Sequence, residues 1–476
     1  MPSPPYLILR IAACLSASCL AAGCSSADSR AAQALAAYQA AAAANDLPGA
    51  REALLKLVRA KDDVPDYWVE LGKLQASAGS YGEAYYAFTR AYELDRSNPE
   101  LLRALTELAL RSGDINLAET HARELEVVSP GNPWVKLTDG WAAVSESHYD
   151  QALALSDQVL ATSPFDPAAT ILKTRALMGL KRDADAEAVL AKQVQAQPSD
   201  VGSAMALARF YLSHGDWARA AAIARRITAQ VPDDRNSALL LIQAAFRSGN
   251  LAEARAASAR VLKPDADPAV IASVLDLWTD YWATPQRLQD ARNLAGASAG
   301  LDQKLIYAAY LSTWGSPADA VRLVANSAML PVTARSAEAN AVFGDALWRL
   351  GKPNEAKKRL DAVIAFDPGN ATALRARAEL ELRTGNAAAA IMDAQKLVTV
   401  LPGSAPDRLL LARSYTAAGN SRWRDRTLWA AFQEIPADER IYAVLRLTKK
   451  GDSDATRNLD EEFARQQEAK LNRGML

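Results

Sequence analysis

Small apolar residues return along this chain every 34 residues. Ala84, Ala118, Ala152, Ala186, Ala220, Ala254, Ala356 and Ala390 all fall at position 20 of frames that begin at 65, 99, 133, 167, 201 and onward. Gly79, Gly113, Gly215, Gly249, Gly351, Gly385 and Gly419 share position 15 of the same frames, and Pro130, Pro164, Pro198, Pro232, Pro368, Pro402 and Pro436 share position 32. Each position has a physical reading. Proline cannot continue a helix, so position 32 marks where one stops before the next frame begins. Glycine takes the left-handed conformation that closes a helix, so position 15 is a turn between two helices. A small residue at position 20 lets the second helix lie close against the first. The frames predict a chain of helical hairpins.

The segment Trp68, Leu71 and Gly72, followed by Gly79, Tyr81, Ala84, Phe88 and Ala91, resembles the tetratricopeptide repeat, a helix–turn–helix of 34 residues. Weaker copies are Gly140 with Tyr149, Ala152 and Pro164; Ala208 with Tyr211, Gly215, Trp217, Ala220 and Pro232; and Gly344 with Leu347, Gly351, Ala356 and Pro368. The resemblance implies an all-α fold, a right-handed superhelix (α-solenoid) of about twelve repeats, because one hairpin has too little apolar surface to fold alone and must stack on its neighbours. Trp68 and Trp217, at pattern positions, are expected in the core.

Counted from residue 31, twelve frames reach residue 438, giving an N-terminal array over 31–268, a degenerate stretch over 269–336 and a C-terminal array over 337–438. In the degenerate stretch Ala320 lies two residues early, and Trp278, Tyr281, Trp282, Tyr307, Tyr310 and Trp314 crowd together. Two readings are open there, a modified pair of repeats or a seam between subarrays. Residues 439–476 are expected to cap the array, with Leu459 and Phe463 on one face of an amphipathic helix over 454–471.

Cysteine usage changes the picture at the amino terminus. All three cysteines, Cys14, Cys19 and Cys24, lie within the first 24 residues, so disulfides, cysteine-based zinc sites and a cysteine nucleophile are excluded from the body of the chain. An apolar run from Leu7 to Ala22, interrupted at Arg10, ends in Leu20-Ala21-Ala22-Gly23-Cys24. This resembles the lipobox of bacterial lipoproteins, although the leucine sits one place earlier than is usual there. The resemblance implies that residues 1–23 are a signal peptide, that Cys24 is acylated, and that 24–30 form a short linker. Ser25 after the cysteine resembles lipoproteins sorted to the outer membrane. The alternative is an ordinary signal peptide that releases a soluble periplasmic protein.

With 54 Lys+Arg against 55 Asp+Glu, the chain has no global field to gather nucleic acid. Its three histidines, His121, His148 and His214, show no metal-binding spacing. Gly296-Ala-Ser298-Ala-Gly300 matches the GxSxG pattern, but the nucleophile elbow needs a strand before it and a histidine after it, and no histidine follows His214. It reads as a turn between helices. Acid pairs such as Asp62-Asp63 and Glu461-Glu462 stand in solvated contexts. The expectation is no enzyme, no cofactor, no metal and no small-molecule substrate.

Binding to other proteins remains. The family resemblance implies that repeat positions 2, 5, 9 and 12 of the first helices line a concave groove, which here carries Trp134, Trp141, Ile171, Arg175, Met178, Met205, Arg209, Gln243 and Phe246. Arg175 and Arg209, one repeat apart, are expected to project about 10 Å from each other and to meet two carboxylates of one partner segment. The lysine and asparagine set that clamps chaperone tails is absent. The whole layout is similar to repeat-containing lipoproteins of exopolysaccharide export, exosortase-type and pilus-assembly systems, and implies a lipid-anchored scaffold facing the periplasm from the outer membrane. The rivals are a soluble periplasmic peptide-binding or chaperone-like protein, and an enzyme with an unrecognised site.

Overall fold

A computed structural model of the chain describes residues 27–44, 46–232 and 234–473. The proposed signal segment and Cys24 lie outside the described residues. Among those described, the chain forms 26 helices and no strand. They divide into two compact units, one ending at Asp139 and the other beginning at Gly140.

The frames fix the helix starts. First helices α3 (Pro65–Ser77), α5 (Pro99–Ser112), α7 (Pro133–Ser145), α9 (Pro167–Gly179), α11 (Val201–Ser213), α13 (Arg235–Arg247), α19 (Ala337–Arg349), α21 (Ala371–Arg383) and α23 (Ala405–Ala417) each begin at position 1. Second helices α4 (Tyr81–Leu94), α6 (Ile115–Val128), α8 (Tyr149–Thr162), α10 (Asp183–Ala196), α12 (Trp217–Gln230), α14 (Leu251–Val261), α20 (Pro353–Phe366), α22 (Ala387–Val400) and α24 (Ser421–Glu434) each begin at position 17. The position-32 prolines fall in the loops after second helices, as their missing N–H requires. An earlier hairpin, α1 (Ala27–Ala43) and α2 (Leu47–Ala60), opens the first unit, whose core runs from Ala31 to Leu108.

Sterics at two positions hold each hairpin together. All eight position-20 alanines have no accessible surface. On the facing helix, position 8 is equally crowded: a Cβ at Gly72 would stand 2.9 Å from the Phe88 ring, and one at Gly344 would stand 2.8 Å from the Leu360 side chain. The inter-helix turn is set by a left-handed residue at position 15, with φ of 75° at Gly215 and 76° at Gly249. In two of these nine frames the glycine is absent, and Ser147 (φ 64°) and Lys181 (φ 60°) adopt the same conformation against their own preference.

Residues 269–336 form two modified hairpins, α15 (Pro268–Tyr281) with α16 (Gln286–Ala297) and α17 (Leu301–Trp314) with α18 (Pro317–Val324). The first has no left-handed glycine at its turn. The second is displaced as a block: Leu301, Gly315 (φ 114°) and buried Ala320 all stand two residues ahead of their frame positions. A connector over 325–336 restores the register before α19. The aromatic crowd is mostly core, since Trp278, Trp282, Tyr307 and Tyr310 are buried, and Trp278 Nε1 donates to Ser258 Oγ at 3.1 Å. One buried cluster extends from Leu177 through these rings to Leu311, while Leu305, Ala308, Ala320 and Val324 belong to a second cluster that runs on to Ala346, so the boundary between the two falls within α17.

At the carboxyl end α25 (Glu439–Thr448) starts a thirteenth frame, and the 21-residue α26 (Ser453–Arg473) packs against it. Leu459 is buried, and Phe463 stacks on Tyr442 at 3.9 Å and 5°. Gln466 accepts from Ala437 N–H at 3.0 Å and donates to Phe432 C=O at 3.1 Å, satisfying backbone groups at the end of the stack.

Because position 20 has no spare volume, Ala220→Leu should destabilise the second unit by roughly 1–3 kcal/mol. The same change at Ala222, exposed on the same helix, should leave the thermal midpoint nearly unmoved. Equal shifts in the two variants would contradict the packing described.

Candidate functional site

Within the second unit, the first helices of successive hairpins lie side by side: α9 on α11, α11 on α13, α13 on α15, and so on through α23 on α25. Among the described residues of the second helices, only those of α16 and α18 approach comparably. Helices on the inside of a bend are the ones drawn together, so the first helices form the inner face and the second helices the outer one.

The inner face has two regions of different chemistry. Over α9 to α15 its half-buried residues are largely apolar, among them Ile171, Met178, Leu212, Leu239 and Leu277, interspersed with Arg209, Arg235, Gln243 and Arg247. Arg247 is exposed and is held between two rings, 4.3 Å from the Trp217 centroid and 5.4 Å from that of Tyr281. It has no hydrogen-bond or ionic partner among the described residues. Its planar cation is thus oriented by stacking and keeps its N–H edge for an acceptor. Acid on this face is confined to α15, where desolvation and then the neighbouring charge of Asp280 push the Asp276 carboxyl up, opposed by Arg440.

Over α17 to α23 the inner face is polar and satisfied internally. Asp345 accepts from the Ser312 hydroxyl, from Trp348 Nε1 at 3.0 Å and from Arg349 Nε at 3.0 Å. Arg349 reaches on to Glu379 at 2.8 Å, and Glu379 lies 3.7 Å from Arg413 of the following repeat. Beside this ladder, Arg375 forks onto Asp407 at 2.6 and 2.8 Å, and Arg377 joins Asp361 and Asp393.

The residues expected to line the groove are only partly displayed on a surface. Ile171, Met178, Arg209 and Gln243 are half-buried on the inner face. Trp134, in the first unit, is half-buried with the Arg103 guanidinium 5.9 Å from its ring. Trp141, Met205 and Phe246 are buried and belong to the packing. Arg175 is 1% exposed, and burial pushes its pKa down to about 10. The expectation of two projecting arginines is therefore corrected. Position 9 in that frame turns toward packed neighbours: the Tyr149 ring occupies the space where a Cβ on Gly179 would stand, one turn along. Trp217 is likewise half-buried rather than core, because it opens α12 and lies under Arg247.

Sequence reasoning missed Arg247. The available signal was that Arg247 and Tyr281 both occupy position 13 in consecutive frames, with Trp217 opening the second helix of the frame before. The GxSxG segment is the turn from α16 to α17, and Ser298 donates its hydroxyl to Leu294 C=O at 2.9 Å. Among the described residues, no group of three or more His, Cys, Asp or Glu is placed to hold a metal ion, and no helix is long and apolar enough to cross a membrane.

Comparison with known proteins adds the following. Two family models, each described as tetratricopeptide repeat, match the chain, one over 35–99 and 342–406 and the other over 143–210 and 211–275. Two stretches between the matches are left out, 100–142 and 276–341, the second of which holds most of the modified hairpins. No curated protein matches the chain. Similar solved structures include a tetratricopeptide repeat protein from Parabacteroides merdae (17% identity, 48% of this chain and 91% of that one, TM-score 0.34). A thermophilic repeat protein of Thermus thermophilus is similar at 22% identity, over 39% of this chain and 99% of that one, with a TM-score of 0.34. PilF of Pseudomonas aeruginosa is similar at 17% identity, over 42% and 91%, with a TM-score of 0.29.

The buried end of the ion-pair system makes an asymmetric prediction. Asp407 has no exposed side-chain surface, whereas the Arg375 side chain is 38% exposed. Arg375→Ala should strand a buried carboxylate and cost about 3 kcal/mol or more, while Asp407→Ala lets Arg375 turn to water and costs less. Urea unfolding of the two variants measures the difference, and equal losses would refute this reading of the pair.

Proposed function

Since the chain belongs to the tetratricopeptide repeat family, whose members bind other proteins, we propose that it is a lipid-anchored scaffold that faces the periplasm from the outer membrane and holds a partner protein in an envelope assembly or export system. The observation that carries the binding part is the inner face over α9 to α15, where half-buried aliphatic side chains and the ring-stacked Arg247 are not committed to acids of the chain itself. Aromatic and arginine anchors beside apolar surface suit a partner segment that carries carboxylates between apolar residues. The ion-paired face over α17 to α23 offers much less, because a ligand there would have to displace satisfied pairs.

The anchor rests on Leu20 to Cys24. Acyl chains on Cys24 hold a protein to a bilayer by burial of about 0.8 kcal/mol per methylene. A soluble periplasmic binder of the same partner is the rival, and the state of Cys24 decides between them.

Two measurements test the proposal. A photo-crosslinking amino acid placed at Met178, Leu212 or Gln243 should capture one common partner in cells, while the same probe at Ala188, Ala222 or Ala256, exposed on second helices, should capture none. Equal capture from both sets would refute the inner face as the binding surface. Separately, Cys24→Ala should move the protein from the membrane fraction to the soluble fraction or block its processing. A wild-type protein that is already soluble with an unmodified terminus would end the lipoprotein reading and leave the binding surface untouched.

A further inference from the structure

The outer face of α24 carries chemistry that the partner-binding inner face does not use. Its inward residues Leu428, Ala431 and Phe432 are buried in the last core cluster. Both acids on the helix are spent on arginines: Asp425 accepts from Arg424 at 2.8 Å, and Glu434 accepts from Arg408 of α23. What remains facing outward is cationic and aromatic. Arg422 and Arg426 sit one turn apart and have no hydrogen-bond or ionic partner among the described residues. On either side of them are Trp423 and Trp429, 47% and 48% exposed. Trp423 is fixed in place, stacked on Tyr415 at 6.1 Å and 22° with the Arg426 guanidinium 5.2 Å from its ring.

Two half-sunk indoles leave apolar area in water that a cover would remove. The cover must place an apolar layer next to a plane of anionic acceptors, because the guanidinium groups between the rings have no carboxylate of their own. The boundary between headgroups and acyl chains in an anionic bilayer has both, in that order, and tryptophan and arginine collect there for this reason. Anchor residues of protein interfaces, by contrast, cluster in well-packed pockets. α24 is a second helix and presents a ridge on the outside of the stack. We propose that this face is a membrane-contact site, laying Trp423 and Trp429 into the headgroup region of an anionic bilayer with Arg422 and Arg426 on lipid phosphates. The inference does not depend on acylation of Cys24.

The test uses the chain from Ser25 to Leu476, which keeps every described residue and lacks both the apolar leader and Cys24. It is sedimented with vesicles of phosphatidylglycerol and phosphatidylethanolamine in equal parts, and with pure phosphatidylcholine vesicles. Binding to the anionic vesicles, a blue shift of tryptophan emission and weakening by salt are expected. Each arginine contributes roughly fivefold, so Arg422→Gln with Arg426→Gln should lower affinity at least tenfold and remove the preference for anionic lipid. Trp423→Ala with Trp429→Ala should lower it at least as much and abolish the blue shift, with helicity unchanged. The control pair Lys192→Gln and Arg260→Gln, exposed on α10 and α14, should bind like the parent. Absence of vesicle binding, which is what an acidic protein surface as the true occupant would give, overturns the proposal, as does equal binding to phosphatidylcholine or equal loss in the control pair.

Discussion

The distance between the two helices of a hairpin is the constraint on which the rest of this structure depends. It is set by side chains that are scarcely there: an alanine without accessible surface at position 20 and, in the clearest copies, a glycine at position 8 whose missing Cβ makes room for Phe88 or Leu360. A hairpin closed this tightly exposes two ridged faces, and neighbours stack on them frame after frame. The stacking brings successive first helices of the second unit together. Only then do residues 34 apart in sequence become neighbours in space, so the inner face inherits its geometry from the alanines.

Requirements met by backbone and steric bulk were legible in the sequence, because they are local. Pro164 cannot continue the helix that precedes it, and Gly215 takes the left-handed turn conformation without steric cost. Side-chain direction was not legible in the same way. Arg175 and Arg209 occupy the same frame position, yet one is sealed beneath neighbouring groups and the other is half-exposed, because the side chains packed around each differ. Ser147 and Lys181 show a related limit: the turn they occupy is imposed by the hairpins on either side, and the residue itself gives no sign of it. Ala320 did signal the displaced hairpin, but only the structure shows that Leu301 and Gly315 move with it.

The contrast along the inner face follows from which interactions cross between repeats. From α17 to α23, acids and bases at comparable heights on neighbouring first helices find one another, as Arg349 does with Glu379 and Arg375 with Asp407. From α9 to α15 the crossing contacts are largely apolar, made by Ile171, Leu239 and Leu277 against a shared core, and Arg247 of α13 crosses to a ring, Tyr281, rather than to an acid. Ion pairs tie neighbours in defined geometry, while aliphatic contacts tolerate small sliding. One stretch of the stack is therefore internally specified, and the other keeps half-buried apolar surface beside the ring-stacked Arg247.

The connector over 325–336 has a different kind of significance. A displacement of two residues in α17 and α18 would carry the following helices out of phase with their frames if nothing absorbed it, yet α19, α21 and α23 begin on position 1. The connector uncouples chain length from helix phase. Loop closure becomes costlier only slowly with length, by about 0.6 kcal/mol for each doubling. The connector's first half is tied down, since Ala328 is buried with its C=O held by Arg359 at 2.7 Å and Asn340 donates to Met329 C=O at 2.9 Å, so added residues are best absorbed at the exposed stretch 333–335. It is an expansion joint: a place where the chain can change length over evolutionary time, or accept a grafted module, while the repeats beyond it keep count.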